Sequence, residues 1–215
     1  MENRKSWIAP TILGIALILA LVWGYNEYTT KNELGVALEN HYQRLFFDVK
    51  KHVENVQVNL SKAMLSKSRD QNVLLLSQIM NEAYFAQDKL GQMPITHAET
   101  AKTEKFLNQA ADYSFHLIQT HLKGESLTKQ QKDELGNLQK NSASFNTELA
   151  KLQSQLADKN FLMGSLNKSQ SKNIREGNEK VFQTSIANIE KNMAKSPELI
   201  DDGPFSDHMI NKKPV

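Results

Sequence analysis

The six histidines and the acidic pairs are the residues of this chain whose types could carry chemistry. A metal held on one helix needs two histidines at i, i+4, and His116 and His121 stand five apart, off a common face. His41, His52, His97 and His208 have no ligand-spaced companion and read as surface or seam residues. Asp133/Glu134 and Asp201/Asp202 are adjacent rather than facing, in strongly polar surroundings that read as a solvated face. There is no phosphate-cradling glycine loop, no G-x-S-x-G elbow and no H-E-x-x-H. The chain has no cysteine, which excludes disulfides, thiolate metal sites and cysteine nucleophiles. No catalytic, cofactor-binding or metal site is expected, and no cofactor.

Charge gives no nucleic-acid footprint either, because 26 Lys+Arg against 24 Asp+Glu leave +2. Lys50, Lys51, Lys62 and Lys67 are interspersed with acids and lack the aromatic interleaving of a stacking platform.

The elements that would position a site are helices. Only 9 glycines and 5 prolines occur in 215 residues, too few turn formers for a many-stranded sheet protein. Trp7 to Tyr25 is free of charge, and at 1.5 Å per residue it spans about 28 Å, the thickness of the hydrocarbon layer. Arg4 and Lys5 precede it, which puts the N-terminus in the cytoplasm and the bulk outside. Bulky residues through Val22-Trp23-Gly24-Tyr25 oppose a cleavable signal peptide, so the segment reads as an uncleaved anchor. Pro10 falls in its first turn, where a missing amide proton costs little. Ala16, Ala20 and Gly24 share one face, as small residues of membrane helices often do.

Beyond the anchor, Tyr42, Leu45, Val49, Val53, Val56, Leu60 and Ala63 recur at helical steps, with Glu39, Lys50, Lys51 and Lys62 left for solvent. After a break at Ser66 to Asn72, Val73, Leu76, Ile79 or Met80, Ala83, Tyr84 and Leu90 make a second apolar side, with Gly91 as C-cap and Pro94 as stop. Thr96 and Glu99 form a capping box that opens a third helix with Phe106, Ala110, Tyr113, Leu117 and Leu122 inward, closed by Lys123-Gly124. Thr128 and Gln131 repeat the box. The helix they open carries Leu135, Leu138, Ser142, Phe145, Leu149, Leu152 and Leu156 at alternating steps of three and four, the repeat of a coiled-coil seam. A polar stretch, 165–173, precedes a fifth apolar pattern of Val181 or Phe182, Ile186, Ile189 and Met193.

The expected fold is all-α: an N-terminal transmembrane helix followed by an extracytoplasmic antiparallel helical bundle with coiled-coil packing. Residues 1–29 are the cytoplasmic stub and anchor. Residues 30–196 are the bundle, with helices at about 30–66, 70–90, 97–123, 128–164 and 173–194. Residues 197–215 are a turn-rich junction whose Gly203-Pro204 stops any helix.

Trp23-Gly24-Tyr25, Glu39-Asn40-His41-Tyr42-Gln43-Arg44 with Phe46 or Phe47, Gly91-Gln92-Met93-Pro94, Thr103-Glu104-Lys105-Phe106-Leu107, Asp112-Tyr113-Ser114 and Asp202-Gly203-Pro204-Phe205-Ser206-Asp207-His208 occur in that order. In this the chain resembles the YpeB spore-germination family. In that family the anchor and helical domain precede PepSY-type domains in a chain about twice as long, so the resemblance implies that the PepSY half is missing here. It further implies a non-catalytic, single-pass protein of the spore inner membrane that binds, localises and stabilises or restrains the cortex-lytic enzyme SleB, a peptidoglycan lytic transglycosylase. The residues alone support a long helical surface offered to a protein partner, and a homodimer is open. The competing reading is the four-helix-bundle sensory domain of a truncated receptor, which needs a second membrane segment; after Tyr25 there is no comparable apolar run. An enzyme built from carboxylates on different helices is the third reading.

Overall fold

The computed structural model describes residues 7–95 and 97–156, with Thr184, Ala187 and Lys191 beyond them. The described residues form four α-helices and no strand: α1 (Ile8–Leu65), α2 (Arg69–Gly91), α3 (His97–Leu122) and α4 (Lys129–Leu156). The capping box at Thr96, the side chain of Leu156, the polar stretch 165–173 and the junction 197–215 lie outside them, as does the fifth expected helix apart from those three positions. The chain divides into two units, residues 1–41 and 42–215, and α1 contributes to both.

In the first unit every large apolar side chain from Trp7 to Tyr28 faces outward. The apolar part of α1 is a candidate membrane span by length and composition. A continuous apolar surface of this extent is stable in hydrocarbon, where its backbone bonds stay inside the helix.

The second unit is organised around one core to which all four helices contribute. From α1 it takes Leu45, Phe46, Val49, Val53, Val56, Leu60 and Ala63, with Tyr42 packed at the edge. From α4 it takes Leu135, Leu138, Phe145, Leu149 and Leu152, with Ser142 completely buried in the same row. Phe106 of α3 meets Phe145 of α4 edge to face, centroids 6.4 Å apart. Polar side chains tie α4 to α1: the Asn146 amide donates to Gln57 Oε1 and to the Val53 carbonyl (3.4 Å), and the Gln139 amide donates to Ser61 Oγ (3.4 Å).

Local chemistry sets the helix ends. Ser68 caps α2, its hydroxyl accepting from the Gln71 amide. At α4 the capping box is reciprocal: Gln131 N–H donates to Thr128 Oγ1 (3.1 Å) and Thr128 N–H to Gln131 Oε1 (2.9 Å). Helix α3 closes through Gly124 at φ 82°, with Gly124 N–H on the His121 carbonyl and Glu125 N–H on that of Thr120. This is a Schellman turn, and its left-handed position suits glycine.

Three expectations are corrected. Gly91 is the last residue of α2 rather than a left-handed cap, and Gln92 takes the cap with a right-handed backbone. Tyr84 is exposed, and Asn72, Leu75 and Ala86 join the α2 core stripe instead. Leu122 is 70 % exposed while His121 is buried in its place. From Leu117 a step of four lands within 40° of the same direction and stays inward, whereas a step of five lands 140° away and faces out.

Candidate interaction surface

Two helices of the second unit keep large apolar side chains in solvent although their inward faces are already full. On α1 these include Phe47 and Val58, and on α2 they include Leu74 (52 % exposed) and Phe85 (54 %). Each pair is eleven positions apart, three helical turns, so each pair shares one face of its helix. Desolvating such side chains against a partner is favourable by about 25 cal/mol per Å² of apolar area.

The apolar face of α2 is held in place. The Phe85 ring lies 5.5 Å from the His52 imidazole of α1, and His52 Nδ1 is 2.6 Å from Glu82 Oε2. Both His52 and Glu82 are half-buried, so the pair links α1 to α2 beneath Phe85. On the next face Tyr84 donates its hydroxyl to Asp112 Oδ1 of α3 (3.4 Å). Partial burial, then the Asp112 charge and hydrogen bond, push the Tyr84 phenol above its ordinary value, so it remains a neutral donor.

The other residues with chemical potential are dispersed. His116 stacks on Tyr113 with centroids 6.3 Å apart, and His41 is exposed. His121 is buried at the end of α3, and His208 and Asp201/Asp202 lie outside the described residues. Asp133 is exposed and Glu134 half-buried on α4. Lys50 pairs with Glu54 (3.7 Å) on one helix face, while Lys51, Lys62 and Lys67 point to solvent. Among the described residues, no group of three or more His, Asp or Glu is placed to hold a metal ion. Sequence reasoning missed Phe85 and Leu74, because both sit beside inward residues in an apolar run, Val73-Leu74-Leu75-Leu76 and Ala83-Tyr84-Phe85-Ala86. The signal available was phase: both fall off the stripe through Ile79 and Ala83.

The YpeB N-terminal family matches residues 30–165, which is most of the chain and all of the described core. The chain belongs to the YpeB N-terminal family. Proteins named sporulation protein YpeB are similar to it in three bacilli. That of Oceanobacillus iheyensis is 29 % identical over 147 residues, covering 68 % of this chain and 33 % of the relative. That of Halalkalibacterium halodurans is 27 % identical over 157 residues, 73 % and 35 %. That of Bacillus subtilis is 24 % identical over 197 residues, 92 % and 44 %. The chain thus spans between a third and a little under half of these YpeB relatives. No solved structure matches it.

Proposed function

We propose that this chain is the anchoring and protein-binding part of a non-catalytic sporulation factor. It holds a SleB-type cortex-lytic enzyme at the spore inner membrane and stabilises or restrains it until germination. In this reading Arg4 and Lys5 keep the N-terminus cytoplasmic, and the second unit is an extracytoplasmic antiparallel bundle with a coiled-coil seam along α4. The observation that carries the reading is an outward apolar face on each of α1 and α2: Phe47 and Val58 on one, Leu74 and Phe85 on the other, remain in solvent on helices whose cores are complete. Membership of a family whose relatives are named sporulation proteins supports the cellular setting.

The test is capture of a SleB-type lytic transglycosylase by the full chain in detergent micelles, with Leu74→Ser/Phe85→Ser as the comparison. Specific capture by the unaltered chain, lost in the double variant while its helical circular dichroism is unchanged, is the expected result. Equal capture by both forms overturns the assignment of the surface, and no capture by either overturns the partner. The assay also reads peptidoglycan cleavage by the chain alone, expected to be nil.

A further inference from the structure

The second unit has a feature that docking of a protein on α1 and α2 does not use. Between the end of α1, the start of α2, the end of α3 and the start of α4 lies a cavity of about 500 Å³. That is within the range of small-molecule sites. Its floor is apolar, formed by Ala63, Leu127 and Leu135. Its rim is cationic: Lys67, Arg69 and Lys132 line it against one carboxylate, Glu125. Lys67 and Lys132 make no ion pair among the described residues, and Arg69 meets only Asp70, at 3.7 Å. The Arg69 guanidinium reaches across to the α3 turn, 3.9 Å from where a β-carbon on Gly124 would stand.

Two buried polar side chains also line this cavity. His121 is 4 % exposed and neither ring nitrogen has a hydrogen-bond partner among the described residues. Asn72 is 7 % exposed and its Oδ1 is likewise unpartnered. Buried polar groups are nearly always satisfied, and two orphans on one wall mark a place where something else supplies the partners. Burial, and secondarily the Arg69 charge, hold His121 below the usual imidazole value, so the ring is neutral near pH 7. A neutral imidazole donates from one nitrogen and accepts at the other, and Asn72 Oδ1 only accepts.

The complement of this wall is specific. Cations at the rim call for an anionic group, for which a guanidinium is the best planar partner. The acceptors on His121 and Asn72 call for an O–H or N–H donor close to it, and the floor calls for an apolar body. We propose that this cavity binds a small organic acid, an apolar body bearing a carboxylate with a hydroxyl or amide N–H donor beside it. The carboxylate rests on Arg69 with Lys67 and Lys132 adding charge, the donor faces Asn72 and His121, and the body lies on Leu127 and Leu135. The proposal stands apart from the choice of protein partner.

Mandelate is a minimal probe of this class, and phenylethane-1,2-diol is its neutral counterpart. Full chain in detergent micelles, labelled on histidine, is titrated with each and followed by NMR, the His121 signal being identified by its loss in His121→Gln. Mandelate is expected to move that signal saturably with a millimolar Kd or tighter, and the diol to leave it in place. Arg69→Gln and Lys132→Gln, both at exposed positions, are expected to weaken binding about tenfold and a few-fold respectively, with unchanged circular dichroism. A His121 signal that stays put in mandelate, that moves equally in the diol, or that responds with unchanged Kd in Arg69→Gln overturns the proposal.

Discussion

Phe145→Ala tests whether the row of α4 residues is a packed core. The side chain is 2 % exposed, and its ring meets Phe106 edge to face at 6.4 Å. Removing it deletes the transfer free energy of an aromatic ring and leaves a cavity, together about 3–5 kcal/mol, with the lost aromatic pair included. Against a typical stability of about 5–15 kcal/mol this is a large fraction. In urea, with a slope near 2 kcal/mol/M for a unit of this size, the midpoint falls by about 2 M while the slope is unchanged. The assay is far-ultraviolet circular dichroism of the full chain in detergent micelles, where the apolar part of α1 contributes a constant signal. Leu122→Ala, at a residue 70 % exposed, is the matched control and shifts stability by no more than about 0.5 kcal/mol. Equal effects of the two substitutions, or a Phe145→Ala loss below about 1 kcal/mol, would refute the packing argument.

Acid destabilises the second unit through His121: its folded pKa is depressed and its unfolded pKa is near 6.5, so the unfolded chain binds the extra proton and stability falls as pH drops below about 6.5. The charged groups lining the same cavity are Lys67, Arg69, Glu125 and Lys132, of which Arg69 acts on the ring, and His121→Gln flattens this part of the unfolding profile. Ser142→Ala leaves urea stability unchanged or raises it by about 1 kcal/mol, because the buried hydroxyl has no partner among the described residues; a loss above that value would show that the oxygen is satisfied. Thr128→Ala costs about 1 kcal/mol by removing one arm of the capping box, and Thr128→Ser restores it in the same titration. Gly124→Ala costs about 1–2 kcal/mol, read as a lowered unfolding midpoint, since φ 82° is unfavourable for any side chain although the space is open.

Most of the core was legible because helical periodicity is a local property. On α1 the six residues from Leu45 to Ala63 in the 3–4 rhythm are all buried, and on α4 the rhythm runs unbroken from Leu135 to Leu152. The rhythm became ambiguous where apolar residues stood side by side. Tyr84 and Phe85 next to Ala83, and Leu122 next to His121, cannot be assigned to inside or outside without knowing which neighbouring helix fills each angle. The cavity was not legible at all. Its residues come from four helix ends: Arg69 and Asn72 stand 49 or more positions before His121 and Lys132, and all four are ordinary in type. Capping was legible at Thr128 and Gln131, where both partners lie within three residues, and illegible at Gly91, where the glycine ends the helix without the left-handed turn.

The amide contacts between α4 and α1 bear on how this chain chooses among near-equivalent alignments. A seven-residue apolar repeat is degenerate: sliding α4 by one heptad against its neighbour brings leucine onto leucine again, at little cost in apolar burial. Asn146 and Gln139 are themselves seven apart, but they are read by different acceptors, Gln57 and the Val53 carbonyl in one case and the Ser61 hydroxyl in the other. A slip of one heptad would set one amide against the other's partner at the wrong reach and carry the other past its own. The two amides therefore act as a combination lock on an otherwise repetitive seam, giving up some burial for a single setting. Exchanging Asn146 for leucine would open the lock, yielding a chain at least as resistant to denaturant that no longer has one alignment to return to.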